Sequence, residues 1–484
     1  MIRVPRRKFL QVGTAAALTA APVARCLATA TSADSTKRPN IVFILCDDLG
    51  WAELGCYGNT FNETPHLDAL ARDGMRFTSA YAAAPVCSPT RASLMTGQYP
   101  ARVGITDYLR GDDPKFLSPE HATLPKVLGA AGYASALIGK WHLMGDYKLR
   151  KGDPSLHGFT EVICSETLYI GAGSYFHPYK FLPGVEARRP GEYLTDRLNQ
   201  EAMDFIARNK ERPFFLYLSH YAPHTKLVGK EVLVAKYRAK PGAAMSKNNP
   251  ELAAMLESID QGVGMIRAKL NELDIADNTI VIFMGDNGGE LNVTSNAPLR
   301  GGKSQLYEGG IRVPLIVRWP GVVRPGSVCD VPVTSADLYP TMIEMASAKR
   351  DPSRIVDGES FVPLLRQSGG LTRKAVYWHY PLDTSHFLGG RSAGAIRSGN
   401  LKLIEFYDNG QTELYDLAKD PGETESLADR LPEKAAELRQ MLAEWRKEVG
   451  AKIPPPVPPK KPKPMRVGQA GSYKRLMVSH PLLV

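Results

Sequence analysis

Four apolar runs of the chain each end on residues that can do chemistry. Asp47 and Asp48 follow the run 41–46, and Gly139-Lys140-Trp141-His142 closes the run 134–138. Ser219-His220-Tyr221-Ala222-Pro223-His224 follows 214–218, and Gly285-Asp286-Asn287-Gly288 follows 279–284. In an open α/β sheet the ligand crevice lies beyond the carboxyl ends of the strands, so these are the positions to inspect. Three carboxylates (Asp47, Asp48, Asp286) and the amide oxygen of Asn287 make an all-oxygen set, suited to a hard cation such as calcium or magnesium and not to zinc. Singly, each has a plain reading. Asp47 or Asp48 can cap a turn, Asp286-Asn287-Gly288 is a turn signal, and His142, His220 and His224 can be packed or solvated. Their joint occurrence at four run ends favours one shared site.

A fifth segment, Cys87-Ser88-Pro89-Thr90-Arg91-Ala92-Ser93-Leu94-Met95-Thr96-Gly97, reads as a helix with both ends marked. Ser88 can cap it, Pro89 suits its first position and Gly97 its stop. The free N–H groups and dipole at such a start attract anions, and Cys87 sits at that mouth. Arg91, one turn on, can bring its guanidinium near the group at 87. The plain reading of Arg91 is a surface helix charge.

The elements that must position these residues read as an α/β sheet. Apolar runs at 41–46, 134–138, 214–218, 279–284 and 313–317 have the unbroken hydrophobicity of buried parallel strands. Helical patterns lie between them at about 64–75, 119–131, 192–209, 251–273 and 335–346, which implies right-handed crossovers and helices on both faces. After 374 the pattern changes to short strands, with a hairpin signal at Asp408-Asn409-Gly410 and a helix near 432–448. The expected organisation is an export signal at 1–33, a catalytic domain at 34–373, an antiparallel subdomain at 374–450 and a Pro/Lys-rich tail at 451–484.

With 484 residues, 43% hydrophobic and 23% charged, the chain is no disordered tail protein. Its net charge of +10 sits at the ends. Residues 1–33 and 451–484 carry basic residues and no acid, and residues 34–450 are left at −2. The high charge is therefore no argument for nucleic-acid binding. Pro5-Arg6-Arg7-Lys8-Phe9-Leu10 ahead of a weakly apolar run is similar to a twin-arginine export signal; an ordinary secretory signal is the alternative. Either implies a periplasmic or secreted protein handled by export machinery. No other run approaches the ~20 apolar residues of a membrane span. Six cysteines are too few for a disulfide scaffold, and loss of Cys26 with the signal leaves an odd number.

Cys87-x-Pro89-x-Arg91 followed by Leu94 and Gly97 resembles the sulfatase signature, and the flanking features follow in order. These are Asp47-Asp48-Leu49-Gly50-Trp51, Gly139-Lys140-Trp141-His142, Pro223-His224, Gly285-Asp286-Asn287-Gly288, and Arg300-Gly301-Gly302-Lys303 ahead of Glu308-Gly309-Gly310. The resemblance covers roughly residues 38–425. It implies the alkaline-phosphatase-like fold, a mixed α/β sheet flanked by helices with a smaller C-terminal antiparallel sheet plus helix. It also implies a sulfuric ester hydrolase in which a formylglycine-generating enzyme oxidises Cys87 to formylglycine.

The same resemblance implies one Ca2+ per chain, held by Asp47, Asp48, Asp286, Asn287 and the hydrated residue 87. Asp286 would take the proton of the attacking hydroxyl, and calcium, Lys140, Lys303 and His224 would meet the sulfuryl charge. His224 or Lys303 would protonate the leaving oxygen, and His142 would deprotonate the second hydroxyl so that the aldehyde reforms. His220 stays structural. Lys226 stands where relatives often have proline, which singles out the local loop. The implied substrate is a sulfated carbohydrate, with 143–180 (His157, His177, Tyr179) and 226–248 as candidate subsite segments. The alternatives are a broad arylsulfatase, a phosphatase or phosphodiesterase of the same superfamily, and a binder of sulfated glycans with an unconverted Cys87.

Overall fold

The computed structural model describes residues 38–169 and 174–455. The export signal expected at 1–33 and the tail beyond 455 lie outside the described residues. Among the described residues ten strands precede the C-terminal subdomain: β1 (Asn40–Cys46), β2 (Met75–Phe77), β3 (Ala80–Tyr81), β4 (Ala134–Gly139), β5 (Glu161–Ile163), β6 (Phe214–Ser219), β7 (Thr279–Gly285), β8 (Leu315–Arg318), β9 (Ser327–Cys329) and β10 (Val333–Thr334). Eight of them join one sheet in the order β5-β4-β6-β1-β7-β8-β2-β9.

The reason β1 reads as an unbroken apolar run is visible in where its side chains go. Ile41, Phe43 and Leu45 enter a core on one face of the sheet, and Val42, Ile44 and Cys46 enter a second core on the other. The helix Cys87–Thr96 lies on the first side, contributing Ala92, Leu94 and Met95. The helices Leu194–Asn209 and Pro250–Glu272 cover the second. Each of these fully buried aliphatic or aromatic side chains stabilises the sheet by about 1.5–3 kcal/mol. A charged residue at any position of β1 therefore finds no solvated face to occupy.

One strand departs from expectation. The run 313–317 was expected to be parallel, yet β8 begins at Leu315 and pairs antiparallel with both β7 and β2. The cause is the connection before it. Between β7 and β8 the only helix is the four-residue Glu308–Ile311, so no crossover carries the chain back to the far end of the sheet. The segment stays at the carboxyl ends and must return antiparallel. This is also what delivers Lys303 to the site.

The smaller sheet comprises β11 (Val376–Tyr380), β12 (Ala393–Ser398), β13 (Leu401–Phe406) and β14 (Thr412–Asp416), antiparallel and in sequence order. The helix Pro432–Glu448 covers one face through Leu438, Leu442 and Trp445, packed on Ile396, Leu403 and Leu414. The other face buries Trp378, Tyr380, Ile404 and Phe406 against Tyr81, Val86 and Ile311 of the large domain. Trp378 anchors the join, its indole N–H donating to the Ala82 carbonyl at 2.8 Å. Among the described residues no helix is long and apolar enough to cross a membrane.

Candidate active site

The carboxyl ends of β1, β4, β6 and β7 converge as their order in the sheet requires. Asp47, Asp48 and Asp286 each present a carboxylate oxygen within 4.8 Å of the others, and all three are buried. Asn287 donates from Nδ2 to Asp48 Oδ1 at 2.8 Å, while its Oδ1 is buried without a hydrogen-bond partner. An unpartnered amide oxygen beside three crowded carboxylates is costly unless a cation takes those lone pairs. The donor chemistry fits a hard divalent ion held by Asp47, Asp48, Asp286 and Asn287.

Two strand-end residues adopt left-handed backbone, Asp48 at φ 62° and His142 at φ 57°. For non-glycine residues this conformation is uncommon and clusters at functional sites. His142 is held there by Glu166, whose carboxylate accepts from the His142 N–H at 2.5 Å and from the Trp141 N–H at 3.0 Å. Glu166 lies in a loop with no motif around it, so nothing in the sequence singles it out.

Cys87 opens its helix. Ser88 is not the cap that was expected; Val86 holds that position with extended backbone, and the Ser88 hydroxyl instead accepts from the Leu109 N–H at 3.0 Å. Gly97 ends the helix in left-handed conformation at φ 69°, as read from the sequence. The Cys87 thiol faces His142 Nδ1 at 3.2 Å, and His142 Nε2 meets the Leu109 carbonyl at 2.9 Å. A carbonyl can only accept, so Nε2 carries the proton and Nδ1 presents its lone pair to residue 87. Burial, then Lys140, pushes the imidazole down to about 3, which keeps it neutral.

Arg91 is no surface charge. Fully buried, it donates through Nε and Nη2 to Asp286 Oδ2 at 3.0 and 2.7 Å, and through Nη1 to the Lys140 carbonyl and Ser219 hydroxyl. It reaches the carboxylates and holds them, while lying near enough to residue 87 for their charges to interact. Lys140 pairs with Asp47 at 2.6 Å and Lys303 with Asp48 at 2.7 Å. Lys303 also donates to His224 Nε2 at 3.1 Å, while His224 Nδ1 donates to the Thr225 carbonyl at 2.6 Å.

The electrostatics follow from this arrangement. Burial alone would raise the Asp47 carboxyl, but Lys140, His224 and Arg91 together hold it below the usual carboxylate range. Asp286 goes the other way, pushed well up by burial and by the charge of Asp47. Burial would lower Lys140 and Lys303, yet Asp47 and Asp48 hold them above the ordinary lysine value. Three cations thus face three carboxylates, and a bound dication would turn the pocket positive toward an anionic ester.

The expected subsite histidines do not belong to this cluster. His157 is buried against Trp141 with ring centroids 5.1 Å apart, His177 spends Nε2 on the Val185 carbonyl, and Tyr179 is buried on Glu192. His220 is buried, as its structural reading required. In the segment 226–248, Val234 and Tyr237 pack on Ala253 and Ala254 of the helix Pro250–Glu272.

The family model described as Sulfatase matches residues 39–348, and that described as N-sulphoglucosamine sulphohydrolase, C-terminal, matches residues 302–449. The chain belongs to the sulfatase family. It is similar to the steryl-sulfatase of Mus musculus, 32% identical over 464 residues that cover 78% of this chain and 73% of that protein. The N-acetylgalactosamine-6-sulfatase of Sus scrofa is 35% identical over 381 residues, 70% of this chain and 68% of that one. Among solved structures, Ps i-CgsB in complex with k-i-k-neocarrahexaose superposes with a TM-score of 0.75 at 30% identity, covering 84% of this chain and 93% of its own. This sulfatase is a sulfuric ester hydrolase with the mixed α/β architecture and smaller antiparallel sheet that its sequence resemblance implied.

Proposed function

We propose that this sulfatase removes sulfate from a sulfated carbohydrate, using residue 87 as formylglycine beside a calcium ion. The observation that carries the reading is that residue 87, 3.2 Å from the His142 lone pair, interacts electrostatically with Asp286, Lys140 and Lys303 beside an acid cluster with one amide oxygen left over. A calcium ion held by Asp47, Asp48, Asp286 and Asn287 would supply fixed positive charge and lower the proton affinity of oxygens beside it. A hydrated aldehyde at 87 would supply two hydroxyls on one carbon, one for attack on sulfur and one whose loss of a proton releases sulfate.

The chain's own residues do the rest. Asp286, close enough to residue 87 for their charges to interact, is the acid proposed to take its first proton. Lys140 and Lys303 place charge against the sulfuryl oxygens. The Lys303 ammonium, already donating to His224 Nε2, puts a proton where the departing alcohol oxygen needs one. His142 Nδ1 faces the atom at 87 that must be deprotonated last. Arg91 touches none of the reacting atoms; it holds Asp286 and Asp47 in register.

The carbohydrate class rests on two of the three similar proteins named above, the N-acetylgalactosamine-6-sulfatase and Ps i-CgsB with its k-i-k-neocarrahexaose; the steryl-sulfatase points the other way and sets the competing outcome of the test. The test is desulfation of a panel holding defined sulfated oligosaccharides, a steryl sulfate and an aryl sulfate. Highest kcat/KM on an oligosaccharide is expected; highest kcat/KM on the steryl ester would overturn the class. The domain boundaries at 33, 373 and 450, and delivery to the periplasm or outside through the Arg6-Arg7 signal, form part of the same proposal.

A further inference from the structure

A cavity of about 530 Å³ opens between the segment 106–115 and the segment 381–387. Both walls are tied to catalytic groups. On one side Leu109, which lines the cavity, receives the His142 Nε2–H on its carbonyl and donates its N–H to Ser88, next to residue 87. On the other side the Leu388 carbonyl accepts from Gln305, two residues after Lys303, and the Gly390 backbone packs against the Ser304 carbonyl. The cavity therefore lies between the segment that fixes the nucleophile's base and the loop that delivers the leaving-group lysine. These shared walls make it the candidate space for the alcohol portion of an ester whose sulfur lies at residue 87.

The lining specifies what kind of alcohol. Phe387 is 79% exposed at the lip, its ring backed by His386 at a centroid distance of 4.4 Å, so one aromatic face is open. His386 is in turn set edge-on to Tyr108 at 5.5 Å. The remaining wall is mostly polar, with Asp107, Thr384 and Ser385 standing among Leu109, Pro381 and Leu382, which suits a ring bearing hydroxyl groups better than a sterol. Three acids (Asp107, Asp113, Asp383) stand against two bases (Arg110, Lys115) on the lining, and Arg110 is already engaged by Asp107 at 3.3 Å. A second anionic group on the bound ring would meet surplus negative charge.

Resting on the carbohydrate reading above, we propose that this cavity takes the sulfate-bearing sugar as an otherwise uncharged ring, with Phe387 as its stacking face and Asp107 as acceptor for its hydroxyls. The test compares kcat/KM for an oligosaccharide of neutral hexoses carrying one sulfate with kcat/KM for para-nitrophenyl sulfate. Their ratio cancels any loss of folded protein. Phe387→Ala and Asp107→Ala should each lower the ratio about tenfold. In the wild type, a second sulfate on the same ring should lower kcat/KM by about the same factor. Unchanged ratios in both variants, or faster turnover of the doubly sulfated ring, would overturn the assignment of the cavity while leaving the carbohydrate reading standing. Turnover of the aryl ester with none of any saccharide would fell both.

Discussion

Two buried clusters of charge lie along this molecule, and they are built on opposite terms. The first joins the smaller sheet to the large domain. Glu308, Glu423 and Lys402 are all fully buried, with Lys402 Nζ 2.9 Å from Glu308 Oε1 and 2.8 Å from Glu423 Oε1. Glu308 Oε2 accepts from Tyr81 at 2.7 Å and Glu423 Oε2 from the Glu308 N–H at 2.6 Å, while Glu423 Oε1 has the Lys402 charge beside it and no hydrogen bond. The second cluster, at the strand ends, also pairs its lysines and arginine with carboxylates, yet leaves Asn287 Oδ1 without a hydrogen-bond partner. Burial raises an acid in each, Asp286 at the strand ends and Glu423, up to about 7, at the join. The cluster that joins the domains sets an ammonium beside its one unbonded oxygen; the one proposed to receive an ion and an ester leaves a neutral amide oxygen open.

That contrast can be broken by substitution. Asp286→Asn should lower kcat/KM by on the order of 10²–10³-fold, as expected for removing one preorganised group of an electrostatic site. The thermal midpoint should fall as well, because the amide leaves the buried Arg91 guanidinium without its carboxylate partner. Lys402→Met should act on stability alone. It strands two buried carboxylates and costs about 3–5 kcal/mol in stability, read by thermal or denaturant unfolding, while kcat per folded molecule stays put. A Lys402→Met enzyme of normal stability, or an Asp286→Asn enzyme of normal activity, would erase the distinction between the clusters.

A smaller effect sharpens it. Glu166→Gln keeps the size of the side chain but weakens the grip on the left-handed His142 backbone, and should lower kcat about 10–100-fold with little change in KM. A change in KM alone would mean that Glu166 shapes the substrate pocket and not the base.

How much of this could be read from the residues depends on the range of the interactions involved. The strands β1, β4, β6 and β7 were legible because burial on both faces writes itself into consecutive apolar residues. The strand-end acids, Lys140 and the histidines were legible because they follow those runs directly, whereas Lys303 follows none and was legible only through the Arg300-Gly301-Gly302-Lys303 motif. The direction of β8 was not, since it is set by the absence of a crossover helix and not by its own residues. Three-residue strands such as β2, β5 and β9 are too short to show any period. Ser88 carries the right chemistry for a cap but lies inside a helix that begins at Cys87. Glu166 and the cavity between 106–115 and 381–387 arise from contacts between segments far apart in the chain, which no local pattern records.

The proposed mechanism turns on the chemical identity of the side chain at 87. Trypsin cuts after Arg76 and Arg91, releasing a peptide that contains Cys87 and no other cysteine. In protein from the native host its mass should correspond to a carbonyl oxygen in place of the thiol, and aldehyde-reactive hydrazide should label it at that residue. A free thiol at 87 in fully active enzyme would contradict the account.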